Sequence, residues 1–105
     1  MDEKTIQKAV EMLLEATGAG ARVIVFGSQA RGEADVGSDL DVLVVEPHVK
    51  DQLSETIRLE EVLRPLRIPV DVLVLTHEGF DYWRDTPNTI AYRALKEGKV
   101  YEQVA

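Results

Sequence analysis

No cysteine occurs among the 105 residues, which excludes disulfides, thiolate zinc sites and thiol catalysis. No apolar run approaches the ~20 residues that a membrane-crossing helix needs. Met1-Asp2-Glu3-Lys4 lacks the charged-then-apolar pattern of a secretory leader. Internal repeats, linkers and low-complexity segments are missing as well. A single domain over residues 1–105, cytoplasmic and without membrane attachment, is therefore the expectation. Basic residues are the other shortage: 12 Lys and Arg stand against 19 Asp and Glu, a formal net charge of −7. Such a surface repels duplex nucleic acid, whose binding is driven by phosphate neutralisation. It favours a basic partner, or divalent cations that carry a small anionic ligand with them. A local basic pocket around Arg22 and Arg31 is the arrangement that would still hold a triphosphate.

What is present suits a small folding domain. The chain is 45% hydrophobic and 30% charged, ordinary values for a soluble fold with a modest core. Apolar residues recur at Ile6, Ala9, Val10, Leu13 and Leu14 between a capping Asp2 and the stop at Gly18 and Gly20, which predicts a helix over 2–17. Arg22–Phe26 is a short β-branched strand ended by Gly27. A polar, glycine-rich loop runs to Ser38, and Leu40–Val45 is so continuously apolar that it predicts a strand buried on both faces. Helical spacing returns over 50–63, with Leu53, Ile57, Leu59 and Val62 or Leu63 available to pack, and Pro65 ends it. Ile68–Leu75 reads as a third strand, 87–97 as a last helix closed by Gly98, and Lys99–Glu102 as a short final strand. The fold class expected is α+β with an α/β-like crossover: a small mixed sheet flanked by helices, in the order α-β-α-β-α-β-α. The second and third strands, joined through a helix, should be parallel; the first and second, joined by a loop, antiparallel.

The chemistry concentrates in Gly27-Ser28-Gln29-Ala30-Arg31-Gly32 and Ser38-Asp39-Leu40-Asp41. Asp39 and Asp41 lie two apart at a strand mouth, where alternate side chains share a face. Asp71 sits in Val70-Asp-Val-Leu-Val-Leu75, nearly a copy of Leu40-Asp-Val-Leu-Val-Val45. If those strands run parallel and in register, Asp41 and Asp71 open at one edge. An antiparallel first strand would bring Gly27 and Ser28 to the same edge. Three neighbouring carboxylates repel: at ~5 Å and an effective dielectric of about 20, each pair costs roughly 3 kcal/mol. Hard divalent ions relieve that repulsion, and Mg²⁺ typically uses one or two carboxylates together with substrate phosphates. A helical turn at 28–31 would point free N–H groups at an anion, and Arg31 would add a charge-assisted contact. Taken singly, each feature is ordinary: a turn, a cap, an ion pair, a surface charge. Their coincidence on two matching strands is not.

Gly27-Ser28, then Asp39-x-Asp41 after residues 29–38, resembles the signature of the polymerase-β-like nucleotidyltransferase superfamily. Gly-Ser-x-Ala-Arg-Gly, Ser38-Asp39, the short length, Asn88–Gly98 and Val100-Tyr101-Glu102 are similar to its minimal nucleotidyltransferase (MNT) branch. The resemblance covers nearly the whole chain, with no departure at the motif positions. It implies that Asp39 and Asp41 hold two Mg²⁺ ions, and that Asp71 completes the second metal site and helps activate the attacking hydroxyl. Gly27, Ser28, Arg31 and Ser38 would hold the nucleotide. The implied reaction moves a nucleoside monophosphate, AMP from ATP being the leading case, onto a hydroxyl with release of pyrophosphate. Minimal members are commonly paired with a helical HEPN protein, often a toxin RNase, which they neutralise as antitoxin, in some cases by adenylylating a tyrosine. A non-catalytic module that neutralises such a partner by contact is the alternative, and self-association stays open.

Other conspicuous residues carry blander readings. His48 and His77 follow the far ends of the second and third strands, opposite the carboxylates, and are read as structural. Phe80, Tyr82 and Trp83 are read as core packing, with a partner or oligomer contact as the alternative. Tyr92 is assigned to packing on the last helix.

Overall fold

The two matching apolar runs become the inner and outer members of one parallel strand pair. The computed structural model describes residues 1–32 and 39–103. Its elements are α1 (Glu3–Thr17), β1 (Arg22–Phe26), α2 (Ser28–Arg31), β2 (Leu40–Glu46), α3 (Gln52–Leu63), β3 (Val70–Thr76), α4 (His77–Trp83), α5 (Ile90–Glu97) and β4 (Lys99–Glu102), with a 3₁₀ turn over Arg64–Leu66. The sheet runs β3-β2-β1-β4. β2 and β3 are parallel, β1 is antiparallel to β2, and β4 is antiparallel to β1. This is a mixed sheet flanked by helices, as expected from the sequence.

Alternation along the strands builds two cores. Val23, Val25, Leu40, Val42, Val44, Val72 and Val74 pack against α1 and α3 through Ile6, Leu13, Leu59 and Leu63. Ile24, Phe26, Leu43 and Val45 face Phe80 of α4 and Ala91 and Ala94 of α5. Helix ends follow local chemistry. The Asp2 side chain accepts from the Thr5 N–H at 2.8 Å, and Asp51 accepts from Ser54 at 3.1 Å. These caps each stabilise their helix by about 1 kcal/mol.

Three sequence expectations change. The segment 77–83 is a helix of its own, α4, started by Thr76, whose Oγ1 accepts from the Gly79 N–H at 3.0 Å; it extends the expected element order, while the final strand β4 forms over Lys99–Glu102 as expected. The aromatic trio divides. Phe80 is core, but Tyr82 is 73% and Trp83 45% exposed. Leu53 and Ile57 do not pack either, at 70% and 50% exposed. α3 spends its buried stripe on Leu59 and Leu63, one turn apart, and leaves a second apolar stripe outward.

At the C-terminal end of β2 a carboxyl is buried. Glu46 is 7% exposed and, among the described residues, its Oε2 has no hydrogen-bond partner. Burial, and then the adjacent Glu55, push its pKa up to about 7. Glu55 moves the other way, to about 2, because Arg58 grips it through Nε at 2.8 Å and Nη2 at 2.7 Å. The same Arg58 donates to the Ala16 carbonyl at 3.1 Å, tying α3 to the end of α1. The signs of the two linkages are opposite. A carboxyl whose folded pKa is raised gives stability that is complete below its ordinary value of 4.5 and is lost as pH rises through about 7. Glu55 gives stability present above 4.5 and lost as pH falls through about 2. Urea unfolding of wild type should therefore lose stability relative to Glu46→Gln between pH 4.5 and 7. A flat difference across that window would contradict the buried, proton-holding Glu46.

Candidate active site

Register decides where the aspartates go. In the parallel pair, Leu40 lies beside Val70 and Asp41 beside Asp71. Neighbouring strands are ~4.8 Å apart, so the two residues are adjacent on one edge and one face. In the antiparallel pair, Phe26 is the partner of Asp41, which delivers Gly27 and the start of α2 to that same edge. Asp39 lies just before β2, two residues from Asp41. Both Asp39 and Asp71 are exposed and Asp41 is half-buried.

Gly27 makes the closest approach. Its φ is +77°, a left-handed conformation that disfavours any side chain, and a Cβ there would lie 2.3 Å from Asp41 Oδ2. The carboxylate thus rests over bare backbone. Ser28 opens α2, and Gly32 in the αL conformation closes it, its N–H donating to the Ser28 carbonyl. The Arg31 side chain and Ser38 lie outside the described residues. Arg22, by contrast, is placed away from the site: β1 runs antiparallel to β2, so its first residue pairs with Val45 and with Glu102, and its guanidinium bridges to Glu102 at 3.3 Å. His48 and His77 follow the ends of β2 and β3, at the opposite edge from Asp41 and Asp71.

Two residues that sequence reading passed over complete the surroundings. Glu97 Oε1 of α5 accepts the Gly27 N–H at 3.2 Å and Arg93 Nε at 2.9 Å. The Arg93 guanidinium lies 5.5 Å from the Phe26 ring centroid. α5 thereby steadies the turn that leads into Ser28. Arg93 and Glu97 also line a cleft of about 380 Å³ with Asn88, Tyr92 and Lys96. Their (i, i+4) spacing reads as an ordinary surface pair, and nothing local links Glu97 to a glycine at the other end of the chain.

The donor set is all hard oxygen, which suits a divalent cation such as Mg²⁺. A Cβ at Gly27 would strike the Asp41 carboxylate, so the glycine is what lets that carboxylate sit against the turn. Among the described residues no three His, Asp or Glu side chains are gathered closely enough to share an ion. The backbone brings Asp41 and Asp71 together, and the trio does not form a closed cage.

A family model, the nucleotidyltransferase domain, matches residues 4–100, and the chain belongs to that family. Members work on nucleoside triphosphates with divalent metal, which the acidic edge and the Gly-Ser turn suit. Solved structures agree in fold. One described as a minimal nucleotidyltransferase is 33% identical with a TM-score of 0.61, over 94% of this chain and 95% of that one. A protein from Sulfolobus solfataricus assigned to the nucleotidyltransferases is 26% identical, with a TM-score of 0.61 over 93% of this chain and 77% of the other. A toxin–antitoxin structure with AMP-PNP gives 0.65 at 20% identity, over 98% and 75%. No curated protein matches the chain.

Proposed function

We propose that the chain transfers a nucleoside monophosphate, AMP from ATP in the leading case, to a hydroxyl on a partner protein. The observation that carries this is the pairing of Asp41 with Asp71 in register, beside a glycine whose missing Cβ admits the Asp41 carboxylate. In this reading Asp39 and Asp41 hold two Mg²⁺ ions, and Asp71 completes the second metal site and helps take the proton of the attacking hydroxyl. Gly27, Ser28, Arg31 and Ser38 receive the triphosphate, the α2 N–H groups meeting phosphate oxygens. Bound metal would supply charge neutralisation at the attacking and leaving oxygens. The protein's own part is positioning, which carries most of the catalysis in phosphoryl transfer. Glu97 accepts the Gly27 N–H from α5 and so supports the turn, and the role given to Asp71 is supported by its register beside Asp41 at the same edge.

The partner we infer is a basic, helical protein of HEPN type, with this chain acting as its antitoxin. The net charge of −7 supports a basic partner, and one neighbour in fold is part of a toxin–antitoxin structure. Incubation with α-labelled ATP, Mg²⁺ and the neighbouring gene's product should place label on that product and release pyrophosphate. No transfer with any of the four nucleotides would contradict the reading. The exposed apolar residues of α3 and α4 favour one alternative, neutralisation by contact alone. In that case the double change Asp39→Asn and Asp41→Asn would leave neutralisation intact.

A further inference from the structure

We infer that the open edge of the sheet along β3 is a docking groove for an amphipathic, basic helix of a partner protein. β3 is an outermost strand. Its Leu73 and Leu75, half-buried, form part of the floor of a cleft of about 420 Å³ whose walls include Leu53 of α3 and Ile90 of α5. A second hollow of about 230 Å³ shares Leu75 and Ile90 and adds Trp83. Leu53, Ile57, Trp83 and Ile90 are exposed along this strip, and contiguous exposed apolar surface of this kind marks an interaction site.

The occupant follows from hydrogen bonding and charge. A free strand edge invites another strand, but here the Val74 carbonyl already accepts from the Gln52 side chain. That contact interrupts the row of acceptors a strand would need. Apolar walls on both sides of β3 suit a helix laid in the groove instead. The rim is acidic. Glu60 continues the Leu53–Ile57 stripe of α3, while Glu78, Asp81 and Asp85 flank Tyr82 and Trp83, all of them exposed. Two cations on these elements are already paired, Arg64 with Glu61 and Arg84 with Asp81 at 3.7 Å. A second copy would bring −7 against −7, whereas lysines and arginines beside a leucine stripe complement the rim. Asp71, Leu73 and Leu75 share one face of β3, so a helix along the groove ends beside Asp71. That last connection rests on the transferase reading; the groove does not.

Trp83 is the chain's single tryptophan and reports on the groove directly. The probe is a synthetic helix of about 18 residues with leucines at helical spacing and lysines on its flanks, against a scrambled peptide of the same composition. Saturable binding with a blue shift of Trp83 emission is expected. Leu53→Asp should weaken it about tenfold or more, and the scrambled peptide should bind no better than to that variant. Leu53 is 70% exposed, so the variant should fold, which far-UV circular dichroism checks. Equal binding of both peptides, no effect of Leu53→Asp, or a dimer that Leu53→Asp dissolves would each overturn the groove. Mg-ATP binding in the same samples separates the two readings. Its loss with peptide binding intact counts against the transferase site alone, and the reverse against the groove alone.

Discussion

Asp41→Asn is expected to lower nucleotidyl transfer about 10³-fold or more, equivalent to about 4 kcal/mol of transition-state stabilisation, with the fold intact. Asparagine keeps the shape of the side chain and removes the charge at the position where three segments meet. Asp41 pairs with Asp71 on one side and with Phe26 on the other, and its carboxylate lies against Gly27. Stability should hold or rise slightly, because like-charge repulsion with Asp71 is relieved. Steady-state transfer rates and urea unfolding of the same preparations read the two effects. Activity within a few-fold of wild type would remove Asp41 from the chemistry.

Gly27→Ala should damage stability and activity together. The residue's φ of +77° with ψ of −156° is a conformation that L side chains rarely adopt, which costs about 1–3 kcal/mol. The added methyl would also stand 2.3 Å from Asp41 Oδ2, so either the carboxylate or the turn into α2 must move. A displacement near 1 Å at a reacting centre costs about 10²-fold in rate, and the Glu97 contact to the Gly27 N–H would be strained with it. Transfer about 10²-fold slower with a lowered unfolding midpoint is the expected result. A fully active variant would show that the turn does not need its glycine.

Much of this geometry is legible in the chain itself. β1 and β4 begin and end where β-branched and apolar spacing places them, and the near-identity of Leu40–Val45 with Val70–Leu75 anticipates a register that sets Asp41 beside Asp71. Local pattern speaks less clearly about α4. Its seven residues hold one buried side chain, Phe80, too few for a helical period to emerge, and its start signal is confined to Thr76 and the first-turn Glu78. Leu53 and Ile57 have the spacing of a packing stripe, but periodicity does not distinguish a face turned to the protein's own core from one turned to a partner. Glu97 was invisible for a different reason. Its role is a contact between residues 70 apart in sequence, created only when α5 settles on β1. Arg22 errs the opposite way: its charge suggested phosphate, and strand direction carries it to the far edge, where Glu102 holds it.

The bound partner and the acceptor hydroxyl are later questions than whether this acidic edge takes metal and nucleotide at once. Calorimetric titration of a non-hydrolysable ATP analogue, with Mg²⁺ and then with EDTA, answers that first. Saturable binding that requires Mg²⁺ and vanishes on changing Asp39 and Asp41 to asparagine is the expected outcome. Equal affinity in metal-free buffer, or in the doubly substituted chain, would contradict it.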